Sequence, residues 1–341
     1  MTGVIKLSIV LVPVILFLIA LLLLDSFKLV KPKFIILALF IGGFSAGLSY
    51  YINNWLLSVG GIKMLNLQRF AAPFIEECIK AIYLIFLINR NKVGFVVDSV
   101  LLAFSIGAGF SVIENLYYFY LIPESNLFIW LIRGLGTAIL HGGATSIMAI
   151  ISKNFCERKN SVNIILFLPG LVTAIAIHSV FNLFILPPVI STLIILIIFP
   201  ILIIISFEQS ERSLQKWLGI GFDSDVQILE MIRSGKVLES KIGKHLYSLK
   251  NKIQGEILAD ILCYLRIFIE LSIKAKGILI MQESGFTVKT DQETKDKFKE
   301  FNFLEKSIGK TGKLVVGRFL HTSSRELWQI HMIQGLGVKK F

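Results

Sequence analysis

Long apolar runs separated by short polar breaks fill the first 207 residues of the chain. Seven of these runs, roughly 4–24, 34–51, 70–88, 95–121, 127–151, 164–186 and 189–207, are long enough to cross a bilayer as helix, which takes about 20 residues each. In the first run the apolar character continues to Leu24 and no small-x-small site follows. That predicts an uncleaved first helix rather than a signal peptide. After residue 207 the pattern changes. Segments 225–233, 242–252 and 256–276 mix apolar and charged positions at helical spacing and predict amphipathic helices. Segment 277–288 reads as strand-like, and 291–310 as a charge-rich helix or a solvated loop. The expected fold is all-α: a transmembrane bundle of about seven spans over 1–207, then a cytosolic, mostly helical region over 208–341 with no readable role.

Composition agrees with the pattern. The 341 residues are 55% hydrophobic and 17% charged, with a mean hydropathy of +0.74. Residues 1–207 hold 13 basic and 7 acidic side chains and 208–341 hold 22 and 16, so each part carries +6. Basic excess in such a chain reflects cytoplasmic loops and attraction to anionic lipid, so the lipid bilayer is the expected partner and nucleic acid is not. Lys28, Lys31 and Lys33 mark the first break as cytoplasmic, as do Arg90 and Lys92 the third, and Lys153, Arg158 and Lys159 the fifth. The fourth break holds Glu124 and the sixth Pro187-Pro188; Lys63 and Arg69 in the second oppose the trend weakly. This predicts an N-terminus outside and a C-terminal region in the cytoplasm. Cys78, Cys156 and Cys263 lack the spacing of a disulfide framework or a zinc ribbon. His245, His321 and His331 are scattered and read as ordinary surface or core residues.

Polar residues inside the spans need an explanation, because hydrocarbon solvates them poorly. The third span contains Glu76, Glu77 and Lys80. Three central charges cost up to about 9 kcal/mol on an insertion scale, and about ten apolar neighbours return about 5. This helix therefore needs polar partners inside a bundle. Lys80 lies four residues after Glu76 and three after Glu77, within reach of either. The fourth span carries Phe110, Glu114 and Asn115, and Glu114 taken alone can be read as a simple ion-pair partner for Lys80. The fifth carries His141 and Thr145 on one face, beside Gly142 and Gly143, which allow close backbone approach. The sixth carries His178 and Asn182, again four apart.

Depth joins these residues. Glu76, Glu77, Glu114 and His178 each lie about two turns from the outer end of their span, with His141 somewhat deeper. At about 1.5 Å per residue, they share a layer about 10 Å thick that opens to the outer side. Independent structural residues have no reason to share one depth. Asp98, near the inner end of the fourth span, lies apart.

The set Glu76-Glu77-x-x-Lys80, Phe110-x-x-x-Glu114-Asn115, His141 and His178-x-x-x-Asn182, on four successive spans, resembles the PrsW family of intramembrane proteases. That family belongs with the type II CAAX prenyl proteases in a wider superfamily. The resemblance covers roughly residues 34–186 and leaves 208–341 without a match. It implies that a Glu of the pair and the downstream polar residues activate a water against a peptide bond, with His and Asn of a later helix stabilising the oxyanion. It also implies a membrane-anchored protein substrate, such as an anti-sigma factor cut at a first site. The CAAX-type relatives carry a His where this chain has Glu114.

Two forms of the chemistry can be written. In one, Glu77 or Glu76 is the general base, His178 and Asn182 donate to the oxyanion, Lys80 tunes the pair, and Glu114 binds the water or a metal. In the other, His141, His178 and Glu114 hold Zn2+ with an open fourth position, and no organic cofactor takes part. No His-Glu-x-x-His motif is present to demand a metal. A proton-coupled transporter or channel is the main rival, since a relay also uses intramembrane Glu, His and Lys. Against it stands the lack of an inverted repeat and of paired broken helices. A receptor whose working part is the tail is a third reading.

Overall fold

The computed structural model describes residues 2–25, 30–122, 125–159, 161–239, 241–250, 253–283, 286 and 291–317. Lys28, Glu124, His321 and His331 lie outside the described residues. Every regular element among the described residues is helical. Seven helices carry the apolar runs: α1 (Thr2–Leu24), α2 (Pro32–Ser58), α3 (Ala72–Asn89), α4 (Val96–Leu121), α5 (Ala138–Lys159), α6 (Leu168–Asn182) and α7 (Pro188–Arg233). Prolines near the first helical position start α2, α3 and α6, where a missing N–H costs nothing.

Irregular turns lead into the helices that carry the polar layer. A π-helical turn, Leu67–Ala71, opens α3, and a second, Ile132–Thr137, joins the short helix Leu127–Leu131 to α5. A 3-10 turn, Ile164–Phe167, opens α6. Among the described residues, six helical stretches are long and apolar enough to cross a membrane. Among the seven helices, α3 is the exception, because Glu76, Glu77 and Lys80 fall within its 18 residues. The spans therefore number six by composition, and about seven if neighbouring helices carry α3 across.

The chain forms two compact units, Met1–Glu211 and Arg212–Phe341. In the first, α4 is the central helix: from Val96 to Ser111 every residue but Val97 is buried. Glycine lets its backbone approach both neighbours. A Cβ at Gly109 would lie 2.0 Å from the Leu39 carbonyl oxygen of α2, and one at Gly107 would lie 2.3 Å from that of His141 in α5. These crossings use small residues in place of side-chain interdigitation. At the other end of α4, Asp98 accepts from the backbone N–H groups of Gly94 and Phe95, both at 3.0 Å. It caps the helix, and its distance from the polar layer is thereby explained.

In the second unit, α8 (Lys241–Ser248), α9 (Gly255–Glu283), α10 (Gln292–Ser307) and α11 (Gly309–Gly317) share an apolar core. Tyr264 of α9 stacks on Phe301 of α10 with centroids 4.8 Å apart. The N-terminus of α10 is capped by Asp291, which accepts from the Thr294 N–H at 2.9 Å. The strand-like reading of 277–288 is corrected over Gly277 to Glu283, which continue α9; residues 284, 285, 287 and 288 lie outside the described residues. Leu271, Ala275, Ile278 and Leu279 are all buried, so a helical stripe runs through the segment and overrides its local β preference.

Candidate active site

α3 presents two adjacent carboxylates to different surroundings. Glu77 and Lys80 are fully buried, and their side chains pair at 2.5 Å one turn apart. The Lys80 ammonium also lies 3.2 Å from His141 Nδ1 and 4.7 Å from the centre of the Phe110 ring. Phe110 thus acts as a cation–π face for the buried charge. Of the two carboxylates that Lys80 can reach on the helix, it takes Glu77.

His178 binds the same carboxylate from α6. Its Nδ1 lies 2.9 Å from Glu77 Oε1, and its Nε2 lies 3.9 Å from Glu76 Oε2. A carboxylate accepts, so Nδ1 donates to Glu77, and Nε2 faces Glu76. The rings of His141 and His178 meet edge to face at 4.9 Å and 87°. His141 Nε2 lies 2.9 Å from Glu114 Oε2, while Nδ1 faces Lys80. The close approach of α4 at Gly107 to the His141 carbonyl sets this geometry. Thr145, on the same face of α5, turns its hydroxyl back to that carbonyl at 2.8 Å and takes no part.

One residue escaped the reading of the sequence. Arg133, in the π-helical turn Ile132–Thr137, places Nη2 3.4 Å from Glu114 Oε1. Its Nε donates to Asn115 Oδ1 at 3.0 Å, and its guanidinium lies 3.7 Å from the centre of the Tyr118 ring. Glu114 therefore bridges Arg133 and His141 and does not pair with Lys80. The available signal was an arginine inside an apolar run, two turns before a histidine of the polar layer.

These groups surround a cavity of about 630 Å³, lined by Glu76, Glu114, Arg133, His141, His178 and Asn182 among others. Glu77 and Lys80 lie behind its wall. Asn182 sits at the rim, its Nδ2 donating to the Gln68 carbonyl at 3.0 Å. Glu76, His141 and His178 each offer a ligand atom, and the three atoms lie within 4.8 Å of one another. This trio shares both histidines with the set expected from the sequence, with Glu76 in the place of Glu114. Two imidazoles and a carboxylate suit a zinc-type ion. A carboxylate behind a ligating histidine, as Glu77 stands behind His178, is the usual support of such a ligand. The residues present fit a metal.

Comparison with known proteins agrees with this chemistry. No curated protein and no solved structure matches the chain. Residues 31–205, which hold the whole polar layer, match the sequence model described as PrsW family intramembrane metalloprotease. A membrane-spanning helical chain whose buried Glu and His residues gather at one cavity within that match belongs to the PrsW family of intramembrane metalloproteases, and is a peptidase.

Proposed function

We propose that the cavity is where the chain hydrolyses a peptide bond of a membrane-anchored protein, in the outer half of the bilayer. The observation that carries this reading is the trio of Glu76, His141 and His178 on the cavity wall, backed by Glu77. In it, Glu76, His141 and His178 hold a metal ion. When bound, such an ion supplies Lewis acidity, which lowers the pKa of a water and polarises a carbonyl.

The protein groups divide the remaining work. Glu77 holds the Nδ1 proton of His178 and so fixes the ring with Nε2 toward the cavity. Lys80 compensates the buried Glu77 charge behind the cavity wall. Glu114, on the cavity wall and beside Arg133, accepts the proton of the attacking water and returns it to the leaving amine. Asn182 uses one amide hydrogen on Gln68 and turns the other to the developing oxyanion. A metal-free reading has one specific support: both ring nitrogens of His141 are already engaged, by Lys80 and by Glu114. In that reading Glu76 is the base, and His178 and Asn182 are the donors.

The narrower reading of the substrate is a single-pass regulator such as an anti-sigma factor, cut on its extracytoplasmic side. The placement of charge supports it. Lys31 and Lys33 follow α1, Arg90 and Lys92 follow α3, and Arg158 and Lys159 end α5, whereas the site lies near the start of α3 and the end of α4. With those basic ends in the cytoplasm, the N-terminus lies outside, residues 208–341 lie inside, and the cavity opens outward.

The test uses a single-pass reporter. Glu76→Gln and His178→Ala are expected to abolish its cleavage while the protein still inserts; cleavage at the unchanged rate by both variants overturns the site. Metal analysis separates the two mechanisms. About one ion per chain, lost in His178→Ala, supports the trio, and full activity of a metal-free preparation removes it. Proteomics of a deletion strain is expected to show a membrane-anchored regulator that keeps its extracytoplasmic part.

A further inference from the structure

A membrane-anchored substrate keeps its apolar helix in hydrocarbon, because insertion of such a helix is effectively irreversible. It can reach a cavity inside the bundle only sideways, past a wall that is apolar on its lipid side and adjoins the chemistry. Around the cavity, α2, α4 and α5 meet backbone to backbone at Gly109 and Gly107. α5 and α6 also approach closely, since a Cβ at Gly170 would lie 2.6 Å from the Met148 carbonyl oxygen.

α7 is attached differently, through side chains. Phe199 packs over Gly143 of α5, and Thr192 over Gly136 in the turn before it. Beside these contacts, between α6 and α7, lies a groove of about 460 Å³ whose lining is apolar apart from Ser191. Val180 of α6 and Ile194, Ile198 and Leu202 of α7 are exposed along it.

This groove shares a wall with the catalytic cavity. Phe181 lines both. α6 turns His178 and Asn182 to the cavity and Ala176, Ile177 and Val180 to the groove. The link from α6 to α7 divides in the same way, Phe184 lining the cavity and Ile185 and Leu186 the groove. Phe184 is held at φ 51°, a left-handed conformation that bulky residues seldom adopt. Backbone strain of this kind gathers at ligand clamps and switch regions.

We propose that the groove between α6 and α7 docks the transmembrane helix of the substrate, and that the link 183–187 is the lip over which its unwound end enters the cavity. The inference rests on the peptidase reading of that cavity. Continuity assigns the groove to substrate, since a groove for a lipid acyl chain needs no common wall with His178 and Asn182. With one hydroxyl in a hydrocarbon lining, it selects a helix by fit and not by charge.

The test places a photoreactive benzophenone side chain at single positions of the full chain, in the Glu76→Gln background that leaves substrate uncut. Membranes holding the single-pass reporter are then illuminated. Reporter adducts are expected from Val180 and Ile198, and far fewer from Phe40 and Phe44, which are exposed on α2. Equal adducts at all four positions, or lipid adducts alone at Val180 and Ile198, overturn the proposal. A second variant, Ala176→Trp, fills the groove from an exposed position. It is expected to lower kcat/KM for the reporter by about tenfold and to change cleavage of a short water-soluble peptide by less than about twofold. Reporter cleavage at the native rate in this variant also overturns the groove. Failure of the native chain to cut the reporter would instead sink the peptidase reading, and adducts at Val180 and Ile198 would still report docking.

Discussion

Removing the Glu77 carboxylate leaves the Lys80 ammonium buried without its counter-charge, and breaking one side of a buried pair costs about 3–5 kcal/mol. Glu77→Gln is therefore expected to lose stability as well as activity, measured by thermal unfolding in detergent. The double variant Glu77→Gln/Lys80→Met should recover most of that stability and none of the activity. Glu76→Gln, with no such partner, should lose activity at nearly native stability. The two adjacent glutamates thus separate by their effects on folding. The sequence allowed Glu76, Glu77, Lys80, Glu114, His141 and His178 to be singled out, because each is expensive in hydrocarbon and Glu76, Glu77, Glu114 and His178 share one depth, with His141 close to it. It did not show which glutamate faces the cavity. Adjacent helical residues point about 100° apart, and only the packing of α6 decides between them. Arg133 went unread because a lone arginine near the end of an apolar run resembles an ordinary interfacial charge.

The π-helical turns are the least legible elements, since a single extra residue in a helix leaves no trace in hydropathy. The turn Ile132–Thr137 aims Arg133 at Glu114 while α5 continues to His141. Deleting Leu135 closes that turn toward α geometry and swings Arg133 by about 100° relative to His141. Reporter cleavage is expected to fall more than about tenfold with bound metal unchanged; retained cleavage would show that the turn does not position Glu114. In the second unit, Glu270 of α9 holds Arg233 and Lys297 at 3.0 Å each. Burial pushes its carboxyl up, but hydrogen bonds from Lys297 and Arg233 outweigh this and leave it below the usual carboxylate range. A lowered value means stability that is present above the unfolded value and lost as pH falls through the folded one. Glu270→Gln should cost up to about 1 kcal/mol near neutral pH. By hydrogen exchange in α10, the difference should shrink below about pH 4. The helical course of Gly277 to Glu283 belongs to the same scale: a β-prone run became helix because its buried stripe kept helical spacing.

Taken whole, the molecule was legible as a membrane-spanning helical chain, because hydropathy reports directly on the solvent each segment needs. The match of residues 31–205 to a single family follows the same region. Less legible was the standing of α3, which reads as a span by length and fails as one by charge. That feature bears on how the protein is made. The i, i+3 spacing of Glu77 and Lys80 lets them neutralise each other as soon as α3 forms. The groups that complete the cluster, His141 and His178, belong to helices synthesised later. In a glycosylation-tag insertion assay, α3 presented alone is expected to remain largely outside the bilayer, and to enter it when α4 to α6 follow. Efficient insertion of α3 alone would remove this dependence. Synthesis and catalysis are then coupled: α3 commits to the membrane only once the helices that complete the active site have arrived, and a chain truncated before α6 betrays itself to quality control by an unaccompanied charged helix.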